Sequence, residues 1–301
     1  MHNKPIHLLL LAALISFSEL THAQTPTQPI SLPGAASKVY KTIGDIQLML
    51  HIFYPSAQKD SIRLPAIIFF FGGGWNTGDV NQFFSHSKYL AERGMIAVVA
   101  DYRVRSRHGV TPFECVSDAK SAIRWLRIHA DELGIDEKRI TASGGSAGGH
   151  LALCTALIDS LDEKNDDLQI SSIPNALILF NPVADMTEIV LKRKQVRAEQ
   201  VNDWSNRAVE ISPFHHIKKN APPTIIFHGT ADSTVSFLQV IRFCEGMKNQ
   251  GNRCEVISFE GRPHGFFNYR KGENPDYFTT LRKADEFLIS IGYLKGDPTI
   301  K

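Results

Sequence analysis

Three side chains in this sequence have the types needed for nucleophilic catalysis, and glycines stand beside or near each of them. Ser146 lies within "GGSAG", residues 144–148, which fits the pattern G-x-S-x-G. Ile140 to Ser143 before it reads as a strand end, and "HLALCTALI" from His150 reads as a helix. A strand that turns that sharply into a helix holds its serine in a strained conformation and projects the oxygen from the turn. The glycines remove Cβ atoms that would clash in so tight a bend, and the helix that follows turns the positive end of its dipole towards the serine. A serine hydroxyl is a weak nucleophile until a base takes its proton. His264, in "FEGRPHGFFN", stands in a Gly- and Pro-containing loop after the last strand signal. Such a base needs an acid to orient it, and Asp232, in "IIFHGTADSTV", follows the preceding strand signal. Three glycines in a row in "FFFGGGWNTG", Phe69 to Gly78, leave backbone N–H groups bare towards a developing oxyanion. The N–H of Ala147, just after the serine, would complete such a hole. Together these groups could carry out acyl transfer.

Each feature also has a plainer reading. A Gly-rich phosphate loop sits between strand and helix too, but this stretch lacks both the Gly-Lys-Ser/Thr ending and the G-x-G-x-x-G spacing. It could be a tight turn without chemistry, and Gly72 to Gly74 could be another. The sequence has twelve histidines. His228 competes as a base but stands at a strand end, where it would brace the Asp232 loop. His150 follows the serine turn, and helix geometry should direct it aside. His215 and His216 could be a surface pair. Asp185 is the main rival acid, since it too follows a strand. Trp75, beside the glycines, either walls a short acyl pocket, stacks on a sugar, or belongs to the core.

The elements that must position these residues alternate. Val39 to Ile43 and Gln47 to Tyr54 alternate polar and apolar residues, as half-buried antiparallel strands do. "AIIFFF" from Ala66 and "MIAVVADY" from Met95 are continuous apolar runs, suited to strands covered on both faces. Ile140 to Ser143, Ala176 to Phe180, Thr224 to His228 and Glu255 to Phe259 read as further strands. Thr111-Pro112-Phe113-Glu114 has the chemistry of a capped helix start. Phe113, Val116, Ile123, Leu126 and Leu133 then mark one apolar face, and Gly134 is a natural stop. Ser236 to Gln250 and Tyr277 to Ile291 read as two more helices. Strand–helix alternation predicts a mostly parallel sheet with helices on both faces. In such sheets sites lie at the C-terminal ends of the strands, where all the candidate residues fall. The charged segment 184–219 breaks the rhythm and reads either as a small cap or as a surface excursion.

The whole chain sets outer bounds. Its 301 residues are 43% hydrophobic and 21% charged, with a formal net charge of +2. That charge gives no electrostatic case for nucleic acid or an anionic membrane surface. Residues 1–23 read as a cleaved signal peptide: a short basic start, an apolar run from Leu8 to Phe17, and Thr21-His22-Ala23 before Gln24. A retained anchor is the alternative. A cleaved leader places the protein in the periplasm or outside the cell, with no stable membrane insertion. Residues 24–38 form a Pro- and Ser-rich lead-in, and 39–301 a single domain. Cys115 and Cys154 fall inside helix patterns, as buried thiols do. Cys244 and Cys254 could bridge in an oxidising compartment or remain free. No Cys/His spacing looks like a zinc site, so neither a metal nor an organic cofactor is expected.

The stretches "FGGGW", "DYRV", "TPFECVSDAKSAIRWLR", "GGSAGGH", "HGTADSTV" and "HGFFN" resemble the α/β-hydrolase superfamily. The likeness is strongest to hormone-sensitive-lipase-like esterases and related bacterial acetyl esterases, and it covers about Val39 to about Leu294. The chain order Ser146, Asp232, His264 is the order of that superfamily. The resemblance implies Ser146 as nucleophile, His264 as base, Asp232 as its partner, and Gly73, Gly74 and Ala147 as oxyanion donors. One departure stands out: the family pattern begins His-Gly-Gly-Gly, and Phe71 replaces that histidine, which puts the bracing of the loop in question. The substitution is similar to exported bacterial esterases that deacetylate plant polysaccharides. Asp101-Tyr102-Arg103 looks like the family's buried polar support. The expected activity is removal of acetyl groups from a saccharide. Feruloyl or general short-chain ester hydrolysis is the second expectation. A prolyl-oligopeptidase-type peptidase lacks room for its propeller. A non-catalytic carbohydrate-binding protein on the same scaffold would need a vestigial triad.

Overall fold

A computed structural model describes residues 30–56, 62–196 and 203–300. The expected leader and the first part of the lead-in lie outside the described residues. Eight segments pair as strands: β1 (Ala36–Ile43), β2 (Ile46–Phe53), β3 (Leu64–Phe70), β4 (Ile96–Ala100), β5 (Ile135–Gly145), β6 (Ala176–Phe180), β7 (Thr224–Gly229) and β8 (Cys254–Phe259). The apolar runs have the predicted consequence: β4, β6 and β7 are buried at every position. The strands form one sheet in the order β1-β2-β4-β3-β5-β6-β7-β8. β2 is antiparallel to both β1 and β4, and every other pair is parallel.

Helices fill the crossovers: α1 (Phe84–Glu92), α2 (Arg105–His108), α3 (Pro112–Ile128), α4 (Ala130–Leu133), α5 (Ala147–Leu157), α6 (Met186–Val196), α7 (Phe237–Asn249) and α8 (Pro275–Ser290). At the start of α3, Glu114 Oε2 accepts from the Thr111 N–H at 2.8 Å, and Thr111 Oγ1 accepts from the Phe113 N–H at 3.3 Å. Two otherwise orphaned donors are thereby satisfied, as the sequence suggested. The single helix expected through Leu133 is in fact two. α3 stops at Ile128, the His129 ring stacks on Trp125 at 3.9 Å, and the short α4 ends at left-handed Gly134. Every residue of α5 is buried, so the helix behind the serine is part of the core.

Buried charges stiffen the elements around the site. Asp118, with no side-chain exposure, receives both arms of Arg103 at 2.8 Å and Lys41 Nζ at 2.7 Å. Arg107 pairs with Asp101 at 2.8 Å. Asp285, equally buried, accepts from Arg93 Nε at 2.6 Å and from the Tyr89 hydroxyl, which fixes α8 to α1. Segment 184–219 contributes α6 and two 3-10 helices, Asp203–Ile211 and Pro213–His216. Lys192 of α6 donates to the Ser233 carbonyl, and Glu188 pairs with Arg242 of α7. All four cysteines are buried free thiols, so Cys244 and Cys254 are not bridged in this structure.

Candidate active site

The turn between β5 and α5 holds Ser146 at φ 54° and ψ −118°, a conformation that costs a non-glycine residue. Backbone bonds hold it there: Ser146 N–H donates to the Phe180 carbonyl at 2.9 Å, and His150 N–H donates to the Ser146 carbonyl at 3.0 Å. Gly148 lets α5 approach the end of β3, since a Cβ at that position would overlap the Phe70 carbonyl.

Two loops that follow β7 and β8, at the same end of the parallel strands, reach the serine. His264 Nε2 lies 3.0 Å from Ser146 Oγ, and His264 Nδ1 lies 2.7 Å from Asp232 Oδ2. Asp232 Oδ1 accepts from the N–H groups of Thr234 at 2.8 Å and Val235 at 2.9 Å. His228 Nε2 stands 3.2 Å from Asp232 Oδ2. Burial alone would raise the Asp232 pKa, but the hydrogen bonds from His228, His264 and the Val235 N–H outweigh it. They hold this carboxyl well below the usual carboxylate range. An ionised Asp232 fixes the tautomer of His264: Nδ1–H donates to the carboxylate, and Nε2 is left to accept from the serine hydroxyl.

The glycine loop after β3 closes the site. Gly73, Gly74 and Trp75 take φ 122°, 63° and 60° in succession. The Gly73 carbonyl accepts from the N–H groups of Asn76 at 3.1 Å and Thr77 at 3.0 Å. Gly72 N–H donates to Gln82 Oε1 at 2.6 Å. Among the described residues, no acceptor takes the N–H of Gly73, Gly74 or Ala147. Where the family resemblance implies a histidine, Phe71 stacks on Tyr102 at 4.1 Å, and the Tyr102 hydroxyl donates to the Phe71 carbonyl at 2.7 Å. Tyr102 thus braces the loop from beneath.

Of the readings open for Trp75, the structure favours the core over stacking on a sugar. Its side chain offers no face to a sugar: the residue is 4% exposed, and Nε1–H donates to His150 Nδ1 at 3.2 Å. His150 in turn reaches the Ile211 carbonyl through Nε2 at 2.6 Å. Burial lowers the His150 pKa to about 4, so the ring is neutral and can accept from one side while donating on the other. The glycine loop, α5 and segment 184–219 are therefore joined through one buried imidazole. The rival residues go elsewhere. Asp185 accepts from Ser212 Oγ at 3.0 Å and from Thr187, His215 lies on the surface, and His228 braces Asp232. Sequence reasoning did not single out Gln82 or Asn181, the latter at φ 35° with Oδ1 accepting from the Gly265 N–H at 3.0 Å. Among the described residues, no group of three or more His, Cys, Asp or Glu side chains is arranged to hold a metal ion.

A mostly parallel sheet in this order, turned at its centre by a strained serine, is the α/β-hydrolase fold. The chain belongs to the BD-FAE family, whose profile matches residues 50–247. Among solved structures it is similar to Thermogutta terrifontis esterase 2 phosphoramylated by tabun. That likeness has 50% identity and a TM-score of 0.82, over 90% of this chain and 100% of that one. The propionate-bound form of the same esterase matches with 50% identity and a TM-score of 0.81, over 89% of this chain and 98% of that one. A probable carboxylic ester hydrolase of Mycobacterium tuberculosis, LipM, is 30% identical over 195 residues, 59% of this chain and 43% of the relative. A probable isoprenylcysteine methylesterase of Arabidopsis thaliana is 28% identical, over 66% of this chain and 45% of that one. The chain spans about half the length of these curated relatives.

Proposed function

We propose that this protein is a serine-dependent carboxylic ester hydrolase for short acyl groups, and that its natural substrate is an acetylated saccharide. The observation that carries the reading is the continuous path from Ser146 Oγ through His264 to Asp232, with links of 3.0 and 2.7 Å. In the first step Ser146 Oγ attacks the ester carbonyl while His264 Nε2 takes its proton. The unclaimed N–H groups of Gly73, Gly74 and Ala147 receive the oxyanion, each such donor typically contributing roughly 3–4 kcal/mol. The alcohol departs with the proton from His264. Water, activated by the same nitrogen, then releases the acid and restores the serine. Asp232 keeps its negative charge throughout and stabilises the imidazolium.

The esterase from Thermogutta with propionate bound supports a small acyl group. Its butyrate-bound form favours a second reading, a general short-chain carboxylesterase. The leader-like residues 1–23 support export and hence an extracellular or periplasmic polymer. The test is acetate release from acetylated xylan, pectin and mannan oligosaccharides, beside a series of small aryl esters, with Ser146→Ala as blank. Acetate from one polymer, lost in the variant, is expected. Cleavage of the aryl esters alone would leave the second reading in place. Absence of fluorophosphonate labelling at Ser146 would remove both in favour of a non-catalytic scaffold.

A further inference from the structure

The oxyanion loop and the histidine loop face each other across Ser146, yet they leave different strands, β3 and β8, and share no backbone pairing. Two side-chain amides join them. Gln82 Oε1 accepts from Gly72 N–H at 2.6 Å, and Gln82 Nε2 donates to Asn268 Oδ1 at 2.8 Å. Asn268 Nδ2 donates to the Gly265 carbonyl at 2.9 Å. One end of this path is the residue before Gly73, and the other is the residue after His264. The two amides stand 186 residues apart in sequence.

The backbone groups at the ends give the path a direction. Gly72 offers only a donor here, so Gln82 must present its oxygen to it and its amino group to Asn268. Asn268 must then present its oxygen to Gln82 and its amino group to the Gly265 carbonyl. Neither amide can flip without setting donor against donor or acceptor against acceptor. Gly265 is held from its other side by Asn181. Occupying the Gly72 N–H also leaves Gly73 and Gly74 as the unclaimed donors of the loop.

We propose that Gln82 and Asn268 are positioning residues that fix the distance between the oxyanion donors and the base; this rests on the ester-hydrolase reading above. Backbone hydrogen bonds already hold Ser146. The bridge keeps the two groups that act on opposite ends of the attacked bond in register. Misplacement of such groups by about 1 Å costs on the order of 100-fold in rate.

Two nearly isosteric variants test it. Gln82→Glu keeps an acceptor for Gly72 but has no amino group for Asn268. Asn268→Asp keeps an acceptor for Gln82 but has no amino group to donate to the Gly265 carbonyl. With an aryl acetate, each should lower kcat about 10- to 100-fold and change KM less than about threefold. A Gln82→Met, Asn268→Leu double variant, which sets no two carboxylates side by side, should be no worse than the worse of its own two singles, because one path is cut either way. Affinity for a trifluoromethyl ketone, which mimics the tetrahedral adduct, should fall by the factor lost in kcat/KM, while inhibition by acetate stays constant. Unchanged kcat in either single variant, fully additive losses, or an unchanged ketone affinity would overturn the inference. An active wild-type protein with Gln82→Glu at parity removes this inference alone. A wild-type protein inert to every ester removes the ester-hydrolase reading and this inference with it.

Discussion

At the residue scale, opposing demands meet on the Asp232 carboxylate beside His264. Asp232 is stripped of water, which favours its neutral form, yet it accepts from two N–H groups and two imidazoles, which favours its anion. Asp232→Asn keeps the shape but turns an amide N–H or a weaker acceptor towards His264. The wrong tautomer should then dominate, and kcat should fall about 10⁴-fold with folding intact, as read by steady-state kinetics and circular dichroism. Trp75→Phe should weaken stability by roughly 1–3 kcal/mol in urea unfolding, because His150 Nδ1 would be left buried without its donor. KM for a saccharide ester should stay the same, since the indole has no exposed face. Ser146, Asp232 and His264 were legible in the sequence because each follows a strand within a Gly-bearing turn. Gln82 was not. An amide shows no signal until its partner across the fold is known, and nothing in the local spacing marks it.

At the element scale, the strands could be read because complete burial demands unbroken apolar runs, and β4, β6 and β7 are such runs. The start of β5 could not. Asp136 to Arg139 extend the strand with polar residues, and hydropathy sees only the part from Ile140 onward. The division of α3 from α4 was hidden for a related reason. Leu133 stays buried on the far side of the break, so the apolar period runs through it. Caps were easier, because their chemistry is local. Thr111→Ala should cost about 1 kcal/mol, measurable as a lower urea midpoint at unchanged slope. Gly148→Ala should be far more damaging, since its Cβ would meet backbone rather than a side chain that can move. That variant should be recovered mainly as insoluble protein.

At the scale of the whole molecule, buried imidazoles make stability depend on pH. Burial lowers the His86 pKa to about 3 and that of His150 to about 4. An unfolded chain takes protons at both rings near pH 6.5. Acid therefore favours unfolding: stability is intact above about pH 6.5 and declines as pH falls towards 4. His150 alone accounts for up to roughly 3 kcal/mol. Asp232 adds to the loss below about pH 4, where its anion is no longer available to the unfolded reference. Urea unfolding at pH 7.5, 5.5 and 4.5 should show the decline. His86 is packed among Phe69, Phe83, Phe180, Phe267 and Tyr277, and among the described residues neither ring nitrogen has a hydrogen-bond partner. His86→Leu should flatten the acid slope without loss of stability at neutral pH. The parallel order of the sheet was legible from strand–helix alternation, but the docking of segment 184–219 was not, since it depends on Lys192, Glu188 and His150 reaching distant carbonyls and charges.

The strained turn at Ser146 also bears on descent. Glycine would accept φ 54° and ψ −118° without strain, so Ser146→Gly should raise stability by about 1 kcal/mol after glycine's own entropic cost, and should abolish turnover. A lineage released from the need for this reaction would gain robustness by discarding the side chain. On the proposed ester-hydrolase reading, the serine is kept for its reactivity, against the interest of the scaffold that carries it.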